Sequence, residues 1–187
     1  MTTRPARKAP RRPRPLDRAR LEELALAYVA RFATTRAKLE SYLARKLRER
    51  GWDGEDEPPV AALSARFVDA GYVDDRAWAA SRSRSLLQRG YGVRRVAQAL
   101  AQAGVGEDDR DAVTVSEGER RRAALALARK RRFGPFGANE PDRARREKQL
   151  AAMLRAGHSP DVARYVLAAP TVEAAEEWAT EGSETCD

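Results

Sequence analysis

Few side chains in this sequence suit covalent or metal chemistry, and their spacing is wrong for both. His158 is the one histidine and Cys186 the one cysteine. One of each cannot build a usual zinc site. Ser81, Ser83 and Ser85 have no histidine or other basic partner in reach to activate a hydroxyl. There is no GxxxxGK[ST] phosphate loop and no GxGxxG turn after a strand. Asp74 and Asp75 are a conceivable carboxylate pair for a cation. Adjacent acids at a helix start more often cap it, and no Asp or Glu follows between Arg76 and Gly106. His158, just past a helix C-terminus, reads as a satisfied surface or boundary residue. The expectation is a non-enzyme with no cofactor and no metal.

The remaining chemistry is anion binding by arginine. The acid-free run from Arg76 to Gly106 carries six arginines, among them Arg82, Arg84, Arg89, Arg94 and Arg95. A solvated helix face normally mixes signs, so a run of one sign points to an anionic partner. A second cluster joins Arg120-Arg121-Arg122 to Arg129-Lys130-Arg131-Arg132, with no acid from 120 to 139. A third, Arg45, Lys46, Arg48 and Arg50, is diluted by Glu40 and Glu49. The candidate binding residues are Arg82, Arg84, Arg89, Arg94, Arg95, Arg129, Lys130, Arg131 and Arg132. Arginine's planar fork fits a nucleic-acid backbone and an acidic protein surface equally well. No base-reading signature is present, so any nucleic-acid binding should be largely sequence-independent.

The elements that must hold these arginines follow from apolar periodicity and turn residues. Residues 71–105 read as turn, helix, turn, helix, turn. Gly71 ends one helix, Asp74 or Asp75 caps the next, Gly90-Tyr91-Gly92 breaks it, and a further helix runs from about Val93 to Ala103 and stops at Gly104. Trp78, Arg82, Ser85 and Arg89 fall in one stripe that either faces solvent or, as Trp78 argues, borders the core. Upstream, Leu21, Leu24, Ala25, Tyr28 and Phe32 make one apolar face. Thr34 or Thr35 caps a helix marked by Leu39, Leu43 and Leu47 and closed by Gly51. Pro58-Pro59 opens a third helix with Val60, Leu63, Phe67 and Val68 facing in. Downstream, short helices are expected at 107–116, at 117–132 and from Pro141 to Arg155. Another begins at Ser159-Pro160-Asp161, with Val162, Tyr165 and Val166 inward, and 172–179 forms a weak last turn. No segment alternates with the period of a strand.

Gly51, Gly104 and Gly157 end comparable helices and lie 53 residues apart. Each follows an apolar residue four earlier, and a shorter helix comes after. That is the mark of a repeated unit of three helices that leans on its neighbours. The fold expected is all-α: three tandem three-helix units in an elongated, curved array, over 17–70, 71–116 and 117–170. An alanine-rich apolar fraction predicts thin cores. A basic Pro/Arg arm (1–16) and an acidic tail (171–187) flank the units and are expected to be mobile. The arm suits either non-specific phosphate affinity or solubility. The net charge is +8. With one tail cysteine, no apolar run of membrane length and no secretory h-region, a cytoplasmic protein without membrane contact is expected.

Gly71-Tyr72-Val73-Asp74-Asp75, then Trp78, Arg89-Gly90-Tyr91-Gly92, Arg95, Leu100 and Gly104-Val105 resemble the core pattern of the RecX regulatory proteins. Leu39, Leu43, Lys46-Leu47 and Gly51 resemble that family's first unit. Lys130 to Gly134 followed by Leu154-x-x-Gly157 resembles its third. The resemblance spans about residues 21–168. Position 82 departs from it, with arginine where the family often has an apolar residue. The resemblance implies tandem three-helix units and gives Gly71, Tyr72, Asp74, Asp75, Trp78, Gly90, Gly92, Leu100 and Gly104 structural roles. It also implies a monomeric modulator that binds the RecA recombinase filament on single-stranded DNA and inhibits its assembly, strand exchange and co-protease activity. The alternative from charge alone is a general, sequence-non-specific nucleic-acid-binding protein.

Overall fold

The structure, a computed structural model, describes residues 14–181. Most of the Pro/Arg arm, the end of the acidic tail and Cys186 lie outside the described residues. Among the described residues the chain is all-α, with ten α-helices, one short 3-10 turn and no strand. It divides between Val73 and Asp74 into two compact units.

The first unit holds α1 (Arg18–Val29), α2 (Arg36–Arg50) and α3 (Val60–Asp69). Asp17 caps α1, accepting the Arg20 N–H at 2.8 Å, and Thr35 rather than Thr34 caps α2, accepting the Lys38 N–H at 3.3 Å. Leu21, Ala25, Leu39, Leu43, Leu63 and Phe67 form the core, and Tyr28 stacks on Tyr42 at 4.2 Å. Leu16, assigned by sequence to the arm, belongs to this core and is fully buried. Its N–H donates to Gly51 O at 2.9 Å and its carbonyl accepts from Asp53 N at 2.8 Å, which makes an isolated bridge with Trp52. Phe32 and Val68 do not face in. Helix α1 stops at Val29, so Phe32 leaves the apolar stripe and is 53% exposed.

The second unit holds α4 (Asp75–Gln88), α5 (Val93–Gln102), α6 (Glu107–Asp111), α7 (Glu117–Arg131), the 3-10 turn Gly134–Phe136, α8 (Arg143–Arg155), α9 (Pro160–Ala168) and α10 (Val172–Glu181). Helix α6 is one short turn, and Pro141 lies outside α8, which Asp142 caps instead by accepting from Arg145 N at 2.7 Å. Two apolar clusters fill the unit. One is built on Leu86, Leu87, Val96 and Leu100, the other on Leu127, Met153, Val166 and Trp178. Helix α7 serves both, with Ala123 in the first and Ala124, Leu127 and Ala128 in the second. Alanines on two faces let neighbouring backbones approach closely, at the cost of little area buried per residue. A Ser116/Glu119 capping box starts α7, with reciprocal bonds of 3.2 and 2.9 Å.

Residues 172–181 correct the expectation of a mobile acidic tail. They form a helix that buries Ala175, Trp178 and Ala179. Trp178 stacks on Tyr165 at 4.4 Å, which explains why Tyr165, half-exposed, lies at the border of the core rather than inside it. The Arg121 guanidinium sits 4.9 Å over the Trp178 ring and donates to the Trp178 carbonyl at 3.1 Å, while Glu176 pairs with Arg129. Glu176 of α10 thus neutralises one base of α7, Arg129.

Candidate functional site

Helix α4 is oriented by its buried face, Ala79, Ser83, Leu86 and Leu87. Asp74 is its N-cap, accepting the Ala77 N–H at 2.7 Å, and Asp75 stands in the first turn. Both acids therefore complement the positive end of the helix. Trp78 packs against the Leu86/Val96 cluster, and Arg82 and Ser85 are half-buried beside it, so the stripe does border the core. The arginine stem covers apolar surface while its head reaches water. Arg84 and Arg89 are exposed.

The chain then turns through Gly90-Tyr91-Gly92 into α5. This turn locks onto the loop between α8 and α9. Gly92 N–H donates to Ala156 O at 2.9 Å, and Arg94 N–H donates to Gly157 O at 3.2 Å. Across the same junction His158 Nε2 lies 2.9 Å from Gly90 O, and the ring is only 3% exposed. A Cβ on Gly92 would meet the Gly157 and His158 backbone at 2.3–2.4 Å, so only glycine admits this approach. Gly157 has φ +96°, and its Cβ position is 2.5 Å from Arg95 N. It is excluded as a site for other residues on both grounds. His158 is therefore a satisfied interior clasp, not the surface or boundary residue expected.

Arg94 and Arg95 emerge from this junction in the first turn of α5, exposed, with no acid in that turn. Two cations at the positive end of a helix oppose its dipole, which costs stability unless an anion is present. Arg95 donates to the neutral Gln98 at 2.9 Å. None of Arg82, Arg84, Arg89, Arg94 and Arg95 has a carboxylate partner among the described residues. The basic cluster of α2 differs. Lys46 pairs with Glu49 at 2.6 Å, and its hydrogen bond holds the Glu49 carboxyl below the usual range. The run at the end of α7 is divided. Arg129 is paired with Glu176, whereas Lys130, Arg131 and Arg132 are exposed with no carboxylate partner among the described residues.

The other motif residues hold the frame. Gly71 and Gly104 take φ +75° and +72° after α3 and α5, as Gly51 does after α2. Leu100 is buried, and Tyr72, 60% exposed, tilts against Phe67 at 5.5 Å. Sequence reasoning missed the His158 contact, the full length and packing of α10, and a further basic group on α8, Arg145 and Lys148. No cluster of three or more His, Cys, Asp or Glu suited to a metal occurs among the described residues. Nor is any described helix long and apolar enough to cross a membrane.

The junction carries a pH dependence. Burial pushes the His158 pKa below its ordinary 6.5, and the Gly90 hydrogen bond only partly opposes this. The unfolded chain therefore takes up a proton near pH 6.5 that the folded chain refuses until lower pH. Stability should be full above about pH 6.5 and fall as pH drops from there toward the lower folded value. Urea midpoints of the parent should decline relative to His158→Gln between about pH 7 and about pH 5. Parallel pH curves would contradict the assignment.

Comparison with known proteins gives a consistent family. The family model for RecX, second three-helix domain, matches residues 74–113. The regulatory protein RecX of Myxococcus xanthus (strain DK1622) is 34% identical over 169 residues, covering 86% of this chain and 90% of that protein. That of Mycobacterium sp. (strain KMS) is 37% identical over 170 residues, covering 88% and 90%. Among solved structures, RecX from Lactobacillus salivarius superposes with a TM-score of 0.62 at 18% identity, over 78% of this chain and 91% of that one. A second crystal structure of regulatory protein RecX gives 0.62 at 25% identity, over 79% and 70%. The helical fold is that of the solved RecX structures. The chain belongs to the RecX family of regulatory proteins.

Proposed function

We propose that this chain binds RecA recombinase filaments on single-stranded DNA and restrains their ATPase, strand-exchange and co-protease activities, acting as a cytoplasmic monomer. The observation that carries the reading is the turn from α4 into α5. Gly90 and Gly92 there close against Gly157 and the buried His158. On this junction stand Arg94 and Arg95, exposed at the positive end of α5, with Arg82, Arg84 and Arg89 on α4. Charges left without internal partners cost stability, and a polyanionic filament would relieve that cost. Lys130, Arg131 and Arg132 extend the same chemistry to the end of α7; Arg129 does so less, being already paired.

The second reading, general nucleic-acid binding, draws on the same unpaired arginines, and salt separates the two. A protein held by phosphates alone binds naked single-stranded DNA with a slope of about −0.7 per neutralised phosphate in log K against log salt. The regulatory reading expects weak binding to naked strand and much tighter, less salt-sensitive binding once RecA coats it. Equal affinity for both, with the same steep slope, would favour the second reading.

A further inference from the structure

Helices α7 and α8 enclose a cleft of about 180 Å³ lined by Arg131, Arg132, Phe133, Arg145, Lys148 and Gln149. Its four charged residues are all cations, and no acid lines it. Neighbouring bases on the same two helices are neutralised within the chain: Arg129 by Glu176, Arg143 by Glu147 at 3.1 Å, and Arg146 by Glu140. Arg131, Arg132, Arg145 and Lys148 have no carboxylate partner among the described residues. Every base that lines the cleft is thus left without a carboxylate, as is Lys130 beside it. A cleft lined by one sign of charge focuses the field and concentrates counter-ions.

Two further features make the cleft receptive. Gln149 is 6% exposed, and its Oε1 accepts the Gly134 N–H at 3.2 Å. That bond fixes the Gln149 amide in the cleft wall. Arg132 takes a left-handed backbone, φ 55° and ψ 49°, at the end of α7, where glycine is the favoured residue. An arginine held there against local preference keeps a guanidinium at the mouth of the cleft.

We infer that this cleft is a phosphodiester-binding site for single-stranded nucleic acid, separate from the arginines of the α4–α5 turn. A strand brings a negative charge at each nucleotide, neutralised only by mobile ions, which the four cations displace on binding. Carboxylates on a folded protein surface more often have bases beside them. The Phe133 ring, half-buried at the cleft wall, adds a face for a sugar or base to lie on.

The test is titration of the full chain with fluorescein-labelled oligo-dT across a salt series, without recombinase. Arg145→Glu with Lys148→Glu should weaken binding at least about tenfold and make the salt slope shallower by about 1.4, two phosphate contacts at about 0.7 each. Arg132→Gly, which suits the backbone there, should make the slope shallower by about 0.7 with no loss of thermal stability. Parental affinity and slope in both variants would overturn the proposal. So would poly-glutamate binding that is sensitive to these substitutions while oligo-dT binding is not, since that would assign the cleft to an acidic protein surface. No recombinase is present, so failure here leaves the regulatory reading standing.

Discussion

Gly92→Ala is expected to destabilise the second unit by about 3 kcal/mol and lower its melting midpoint by roughly 10 °C. Gly92 has φ −82° and ψ 170°, a conformation open to any residue, so conformational freedom is not what demands glycine here. Space is. The added methyl would overlap the carbonyl of Gly157 and the amide of His158, and all of the clashing atoms are backbone, so no rotamer relieves them. The two loops must separate, and three contacts go with them: Gly92 N–H to Ala156 O, Arg94 N–H to Gly157 O, and His158 to Gly90 O. Gly71→Ala provides the control. Its φ is +75° with no atom within 4 Å of the added methyl, so only a backbone cost of about 1 kcal/mol applies. Urea denaturation of the two variants measures the difference. Equal, small losses would mean that the loops are not packed as described.

Replacing Arg94 and Arg95 with glutamate should have the opposite signature, with function lost and the fold kept. Both side chains are exposed in the first turn of α5, and neither has a carboxylate partner among the described residues. Acids at that helix end are favourable by about 0.5 kcal/mol each, so the midpoint should hold or rise slightly. Inhibition of RecA should weaken at least about tenfold, because an attraction to a polyanion becomes a repulsion. Helicity by circular dichroism and inhibition of RecA ATPase, measured on the same preparation, check both halves. Full inhibition by the double variant would reduce these arginines to ordinary surface.

Local signals made much of the fold legible. Asp74, Thr35 and Ser159 cap helices where sequence placed caps, because a short polar side chain before an apolar run satisfies orphan N–H groups. Gly51, Gly104 and Gly157 all take positive φ after helices, as their repeated positions suggested. Helix α10 was read as no more than a weak turn because its net charge outweighed its pattern. Ala175, Trp178 and Ala179 share a buried face, and the base that offsets Glu176, Arg129, lies on α7, far off in sequence. Phe32 was misread in the reverse sense, since its spacing continued a stripe that the helix itself did not.

The candidate site was legible in charge but not in partnership. Counting arginines treats Arg129 and Arg131 alike, yet Glu176 neutralises the first and nothing described neutralises the second. The contact of His158 with Gly90 joins positions 68 residues apart through one side chain, so no window of sequence contains it. The α7–α8 cleft depends on Arg145 and Lys148 facing the end of another helix, which only the folded arrangement reveals.

The regulatory role is tested most directly by titrating the purified chain into RecA turning over ATP on single-stranded DNA. ATP hydrolysis should fall at well below one copy per recombinase monomer, because a regulator of a filament acts on many subunits at once. Hydrolysis unchanged at equimolar protein would contradict it.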